Sequence, residues 1–421
     1  MMEFLTMLKK PLPNRLRVTL LFYFPLICFL GVFIANDPQV LDNFVKIQLS
    51  PAILLTDYLE VGGVGATLLN VGLIALMNIL LFHYLKLPYT GLMFAAFFTI
   101  FGFSFLGMTL VNLIPIYLGG LVYSRFAKIK FRSIIMLSVF AGTLGPVVSH
   151  LIFGYGFSGA WAWFLGISIG ILMGFFVIPI ARHLLKFHDG YNLYNIGFAA
   201  GIMGIIFVSV MKSLGYPTVR VALLYQVHDS VILTLMIMSC LYLITVGFFA
   251  EAELIKKWKL ILPISGRAIS DFTEPAGFGA TLFNMGIVGL MSTVLVLILG
   301  GVVNGFMLAG IYTIIGFGAF GKHPKNIWPI FAGSILSSMV LGLPLSATTT
   351  LGSILFATTL VPIAGAYGPF WGIVAGFMHV FVVRQVGDFH GGLNLYNNGF
   401  AGGLVAGVLI IIIQTLKGGE K

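Results

Sequence analysis

The sequence predicts an all-α, polytopic membrane protein whose two homologous halves insert with opposite topology. Three observations carry this expectation: composition, an internal repeat, and the placement of basic residues. Apolar residues make up 59% of the 421 and charged residues 9%, with a mean hydropathy of +1.05. A water-soluble globule cannot be built from that balance. The apolar stretches run roughly 16–22 residues, the length a helix needs to cross a hydrocarbon core about 30 Å thick. They lack the alternation of a barrel strand, so helices are the expected spanning structure.

The repeat is clearest in 187–201, Phe-His-Asp-Gly-Tyr-Asn-Leu-Tyr-Asn-Ile-Gly-Phe-Ala-Ala-Gly, which returns at 389–403 with eleven of fifteen positions identical. Thr56-Asp57-Tyr58-Leu59-Glu60 matches Ser270-Asp271-Phe272-Thr273-Glu274 at an offset of 214. The same offset aligns Gly65-Ala66-Thr67-Leu68-Leu69-Asn70-Val71-Gly72 with 279–286, and Asn112-Leu113-Ile114-Pro115-Ile116 with 326–330. Phe140-Ala141-Gly142-Thr143-Leu144-Gly145-Pro146 matches 356–362 at 216, while the first motif matches at 202, so the second copy has lost 14 residues around its fifth and sixth spans. Leu-x-Asn-x-Gly also occurs twice in each half, around Asn70, Asn195, Asn284 and Asn397, a faint sign of a nested duplication.

Apolar length and flanking charge place spans near 18–35, 64–85, 89–107, 109–124, 133–153, 160–181 and 190–211, then near 231–249, 279–301, 304–321, 328–342, 350–366, 368–386 and 394–415. The expected units are a first repeat over 1–215, a linker on the outer side over 216–230, and a second, inverted repeat over 231–421. About 14 segments result, and the short Gly- and Pro-rich ones (89–107, 109–124, 328–342) read as re-entrant or broken. With a cytoplasmic N-terminus, 19 of the 23 Lys and Arg residues fall inside, among them Lys9, Lys10, Arg15, Arg17, Lys322 and Lys421, and only Lys46, Lys212, Arg220 and Arg384 fall outside. Both termini are therefore expected in the cytoplasm, with the chain in the inner membrane. The basic N-terminus resembles a signal peptide without a convincing cleavage site and reads as a retained first helix.

The net charge of +10 is dispersed between apolar runs, so no nucleic-acid partner is expected; lipid and a small solute are. Cys28 and Cys240 lie inside apolar runs and read as packing residues. No His, Cys and acid spacing suggests a metal, and no cofactor is expected. Polar residues at matched positions are the candidate site. Asn192 with Asn195, and Asn394 with Asn397, share a helix face as Asn-x-x-Asn and are expected to line a pathway with Tyr194, Tyr396, Asn70 and Asn284. The rival reading is hydrogen bonding between helices beside close Gly contacts. Asp57, Glu60, Asp271 and Glu274 are four of only 13 acids, and with His188 and His390 they are the candidates for ion or proton coupling. Their rival roles are helix capping for the acids and an interfacial hold for the histidines, with Arg267, Arg384 and Arg220 as candidate partners for the acids.

The doubled Leu-Tyr-Asn-x-Gly-Phe-Ala signature resembles an uncharacterised family of bacterial membrane proteins made of two copies of a domain of unknown function. More distantly, Gly190-Tyr191-Asn192 and Leu87-Pro88-Tyr89-Thr90 are similar to stretches of urea transporters, although in a different order and with Leu393 in place of Tyr in the second copy. That likeness implies a small-solute pathway between inverted repeats and a homo-oligomer; it does not imply urea. The expected function is a transporter or channel for a small polar solute, not an enzyme. The alternatives are a membrane-embedded enzyme, which would need an asymmetric catalytic cluster, and a structural or regulatory subunit.

Overall fold

The computed structural model describes residues 19–219 and 221–418, so Lys9, Lys10, Arg15, Arg17, Arg220 and Lys421 lie outside the described residues. The first repeat contains α1 (Tyr23–Ala35), the short α2 (Val40–Gln48), α3 (Tyr58–Tyr84), α4 (Gly91–Phe103), α5 (Leu110–Phe126), α6 (Ile135–Phe140), α7 (Gly145–Phe153), α8 (Gly159–Leu184) and α9 (Asn195–Ser213). The second contains α10 (Ser230–Ala250), α11 (Leu254–Lys259), α12 (Phe278–Ile298), α13 (Gly305–Phe317), α14 (Pro324–Val340), α15 (Thr348–Phe356), α16 (Val361–Tyr367), α17 (Pro369–Phe389) and α18 (Asn397–Gly418). Every α-helix of one repeat has its counterpart in the other. Nine helical segments among the described residues are long and apolar enough to cross a membrane.

Most of the missing residues of the second copy come out of the joint between α16 and α17 and out of α17 itself. Gly368 alone separates α16 from α17, where residues 154–158 separate α7 from α8, and α17 has 21 residues against 26 in α8.

The short apolar segments explain themselves by length. Each of α4 and α13 has 13 residues, or about 20 Å of helix, less than the roughly 30 Å of a bilayer core. Each ends in a turn, 104–109 or 318–323, that is buried throughout. The chain then returns as α5 or α14 along the long helix it came from: Asn70 of α3 meets the turn at Ser104 and Met108, and Asn78 one further stretch along α3 meets Tyr117 of α5. α4 with α5, and α13 with α14, are therefore re-entrant hairpins. The opposite break is the 3-10 turn Ala141–Leu144 between α6 and α7, repeated as Ala357–Leu360 between α15 and α16, each followed by a Pro at the start of the next helix.

The repeats meet along an axis that relates them by a twofold rotation. α4 packs antiparallel to α13, with Gly91 against Ala319 and Gly102 against Ala309 and Tyr312. Tyr23 of α1 stacks on Tyr242 of α10 at 3.8 Å. α9 and α18 cross where Gly197 faces Gly399. This gives the fold its antiparallel, inverted character independently of the charge count. Gly197→Ala is expected to lower stability by about 1–3 kcal/mol despite the better helix propensity of Ala, as overpacking does. A Cβ there would lie 2.7 Å from the Tyr396 carbonyl oxygen and 3.1 Å from the Gly399 Cα. An unchanged unfolding midpoint in detergent would show that the crossing is not tight.

Lys86, Arg125, Lys128 and Arg182 follow or end helices α3, α5 and α8, which run in the same direction. With Lys256, Lys257 and Lys259 of α11 they make one end of the molecule strongly basic. Lys322, expected at that end, is a correction. It is fully buried in the turn of the second hairpin, because a turn that reverses inside the protein carries its residues inward as well.

Candidate functional site

The two copies of the first motif form irregular loops, 188–194 and 390–396, that run through the protein interior before α9 and α18. Backbone without helical bonding is tolerated there only if other groups take up its N–H and C=O groups. Gly190 and Gly392 make the turns at φ of 77° and 80°, where a side chain would be strained. The polar groups come from the other repeat. Thr359, in the 3-10 break of the second repeat, accepts from the Tyr194 N–H through Oγ1 (3.0 Å) and from the Leu193 N–H through its carbonyl (3.0 Å), and its hydroxyl donates to Asn192 Oδ1. Asn192 Nδ2 donates to the Gly399 carbonyl at 3.0 Å. The mirror set is complete: Thr143 accepts from the N–H groups of Tyr396 (2.8 Å) and Leu395 (3.1 Å), donates to Asn394 Oδ1 (2.7 Å), and Asn394 Nδ2 donates to the Gly197 carbonyl (3.0 Å). Neither threonine belongs to the expected site, although the match of 140–146 with 356–362 contains both.

His188 and His390 are buried and hold the first residue of the following helix, with Nε2 at 2.9 Å from Asn195 Oδ1 and 2.8 Å from Asn397 Oδ1. Asn195 Nδ2 in turn donates to the Ala181 carbonyl at 2.8 Å, and Asn397 Nδ2 to that of Val383 at 3.4 Å. Asn70 and Asn284 tie down the hairpin turns. Asn70 Nδ2 donates to the carbonyls of Ser104 and Met108 at 2.8 and 3.0 Å, and Asn284 Nδ2 to those of Gly318 and Lys322 at 2.7 and 2.8 Å. Their Oδ1 atoms accept from Gln48 and from the Trp258 indole.

The acids cross between repeats as well. Asp57 is fully buried; its carboxylate accepts from the N–H groups of Leu59 (3.0 Å), Tyr225 (3.4 Å) and Gly305 (2.9 Å), so it caps both its own α3 and the first turn of α13. Asp271 accepts from the Gly91 N–H at 2.9 Å and so caps α4. Capping and burial at the repeat interface are thus combined in one residue, with backbone N–H groups in the place expected for arginine. Arg267 instead pairs with Asp189 and donates through Nε to its carbonyl at 2.6 Å. Glu60, Glu274 and Arg384 are exposed.

A cavity of about 180 Å³ lies on the twofold axis. Its walls include matched pairs from the two repeats: Thr99 and Thr313, Phe103 and Phe317, Phe140 and Phe356, Tyr194 and Tyr396. It then extends toward the basic end only, past Leu92, Leu137, Leu185 and the exposed Ile269, whose counterparts at the other end (Phe306, Ser353, Gly387 and Leu55) do not line it. At that other end the linker is pinned down: Leu223 exchanges backbone hydrogen bonds with Leu55 and Asp57, and Asn304 Nδ2 donates to the Tyr225 carbonyl. Of the residues expected to meet solute, Tyr194, Tyr396 and Asn195 line the cavity; Asn192, Asn394, Asn397, Asn70 and Asn284 lie outside its walls. Asn398, which was not expected, lines it and is held by His379 at 3.0 Å.

Among the described residues no group of three or more His, Cys, Asp or Glu is placed to hold a metal. No curated protein and no solved structure matches the chain. One family profile does, twice, over residues 36–213 and 250–415, and the two matches fall on the two structural repeats. The chain therefore belongs to the family described as proteins of unknown function, DUF1576, and carries two copies of its domain.

Proposed function

We propose that the protein is a transporter or channel for a small solute, which passes between the inverted repeats through the cavity on their axis. The observation that carries this reading is the cavity's position. It is walled by equivalent residues of two antiparallel repeats, yet extends toward only one end of the molecule. Broken helices and re-entrant segments, placed so that irregular backbone is buried beside a central cavity, are the devices by which transporters build a pathway inside a helical bundle. By the positive-inside rule the basic end faces the cytoplasm, so the cavity is open inward and both termini are cytoplasmic.

The test is flux into liposomes, using urea and glycerol, small inorganic and organic anions, and alkali cations. A single Cys at Thr99, in a background with Cys28 and Cys240 replaced, is expected to make that flux sensitive to a thiol reagent supplied from the basic side. Cys at Thr67, which is buried away from the cavity, is expected not to. Flux no greater than that of empty liposomes for every solute would remove the transport reading.

A further inference from the structure

The twofold match between the repeats breaks at one buried charged residue. Lys322 is fully buried, and its position in the first repeat is taken by Met108. Lys322 Nζ donates to the Tyr194 hydroxyl and to Thr358 Oγ1 (2.7 Å), and lies 4.6 Å from the centre of the Tyr194 ring and 5.4 Å from that of Phe317. Around the other tyrosine the same places hold Met108 and Gly142, and the Tyr396 hydroxyl has no hydrogen-bond partner among the described residues. The hairpin turn, its Asn tether and the aromatic pair are retained in both repeats; only the polar cluster is not.

Among the described residues every contact of the Lys322 side chain is to a neutral group, and no carboxylate lies within ion-pairing distance of it. A buried ammonium without an opposite charge is costly, and ionisable residues inside a membrane protein mark substrate and ion pathways. Tyr194 and Phe317, on which the ammonium rests, are themselves walls of the axial cavity, so Lys322 stands one side chain behind it. An ammonium has three donors and two are taken by hydroxyls.

We propose that Lys322 is the anion-recognition group of the pathway, and that the solute is a small monocarboxylate. This rests on the transport reading above and names its substrate class. The carboxylate reaches Lys322 when the Tyr194 side chain, which stands between them, swings aside, and the short hydrocarbon tail lies against Phe103, Phe140, Phe356 and Leu395. A cavity of about 150 Å³ holds a benzene-sized molecule, so the 180 Å³ here suits a carboxylate with a tail of a few carbons. An inorganic anion would satisfy the charge and leave the apolar walls unused.

The experiment compares sodium propionate with its neutral analogue propionamide, and with chloride, at fixed pH and ionic strength on full-length protein in detergent. Propionate is expected to raise the unfolding midpoint, propionamide not, and chloride less than propionate. Lys322→Met, which installs the residue found in the first repeat, exchanges a buried charge for an apolar chain of similar length and is expected to fold. It is expected to lose the propionate response and to lower propionate uptake by liposomes at least about tenfold, the value of one charge-assisted hydrogen bond. Equal stabilisation by propionamide, or a propionate response retained in Lys322→Met, overturns the proposal; chloride matching propionate overturns the carboxylate assignment. If the variant does not fold, the wild-type comparison of propionate with propionamide decides alone. A propionate response lost in Lys322→Met, with no flux of any solute, would keep the anion site and remove transport. Flux of urea or glycerol without any response to propionate would keep transport and remove the anion site.

Discussion

Asp57→Ala is expected to cost the protein about 3–5 kcal/mol, enough to unfold most of it in detergent, because one buried carboxylate serves three backbone donors and each orphaned donor costs about 1–3 kcal/mol. Two of those donors, Leu59 and Gly305, open helices in different repeats, and the third, Tyr225, belongs to the linker between them. Loss of the acceptor therefore loosens the start of α3, the start of the α13 hairpin and the linker together. Asp57→Asn keeps one acceptor oxygen and adds donors with nothing to bond, so its cost should fall between Ala and wild type. Glu60→Ala, at an exposed position one turn on, should stay within about 0.5 kcal/mol. Chemical unfolding of the three variants side by side measures this. If Asp57→Ala is as stable as Glu60→Ala, the carboxylate is not holding the repeats together.

Asn192→Leu and Asn394→Leu should each destabilise by about 2–4 kcal/mol, since each removes three bonds from a buried network in which hydrogen bonds support one another. Single interhelical bonds in membranes are weak, about 1 kcal/mol or less; here the amide also fixes an irregular loop whose N–H groups have few other acceptors. Asn192 joins its own loop to the Thr359 break and to Gly399 of α18, and Asn394 does the same with Thr143 and Gly197. Thr359→Val and Thr143→Val should reproduce most of the effect from the other side. In each case flux should fall in proportion to folded protein. A variant that folds normally and loses flux would instead place that Asn in contact with solute.

Much of this arrangement was legible in the sequence as matched pairs, and little of it as contacts. The offset of 214 marked Asp57 and Asp271 as equivalent, but their partners are backbone N–H groups of Gly305 and Gly91, which carry no side-chain identity for a sequence to show. Thr143 and Thr359 sit in a recognised match, yet the residues they hold lie across the repeat boundary, 251 positions away for Thr143 and Asn394. The re-entrant hairpins were legible as short Gly- and Pro-rich segments because length is a local property. Lys322 was misread because a rule that counts basic residues between apolar runs treats every such residue as exposed at a face. Its one telling sign was that the aligned residue is Met108.

The antiparallel crossing of α9 and α18 at Gly197 and Gly399 has a consequence for ancestry. Related by that axis, the two halves contact one another as two identical chains would, each glycine meeting its own image. A single-domain precursor could have formed the same body as an antiparallel homodimer, with one copy inserted in each direction. Such a dimer presents every residue twice, so it offers two lysines or two methionines in the hairpin turns, never one of each. Only joining the copies into one chain allows Lys322 in one hairpin turn and Met108 in the other, and with such differences a molecule with interchangeable ends acquires a direction.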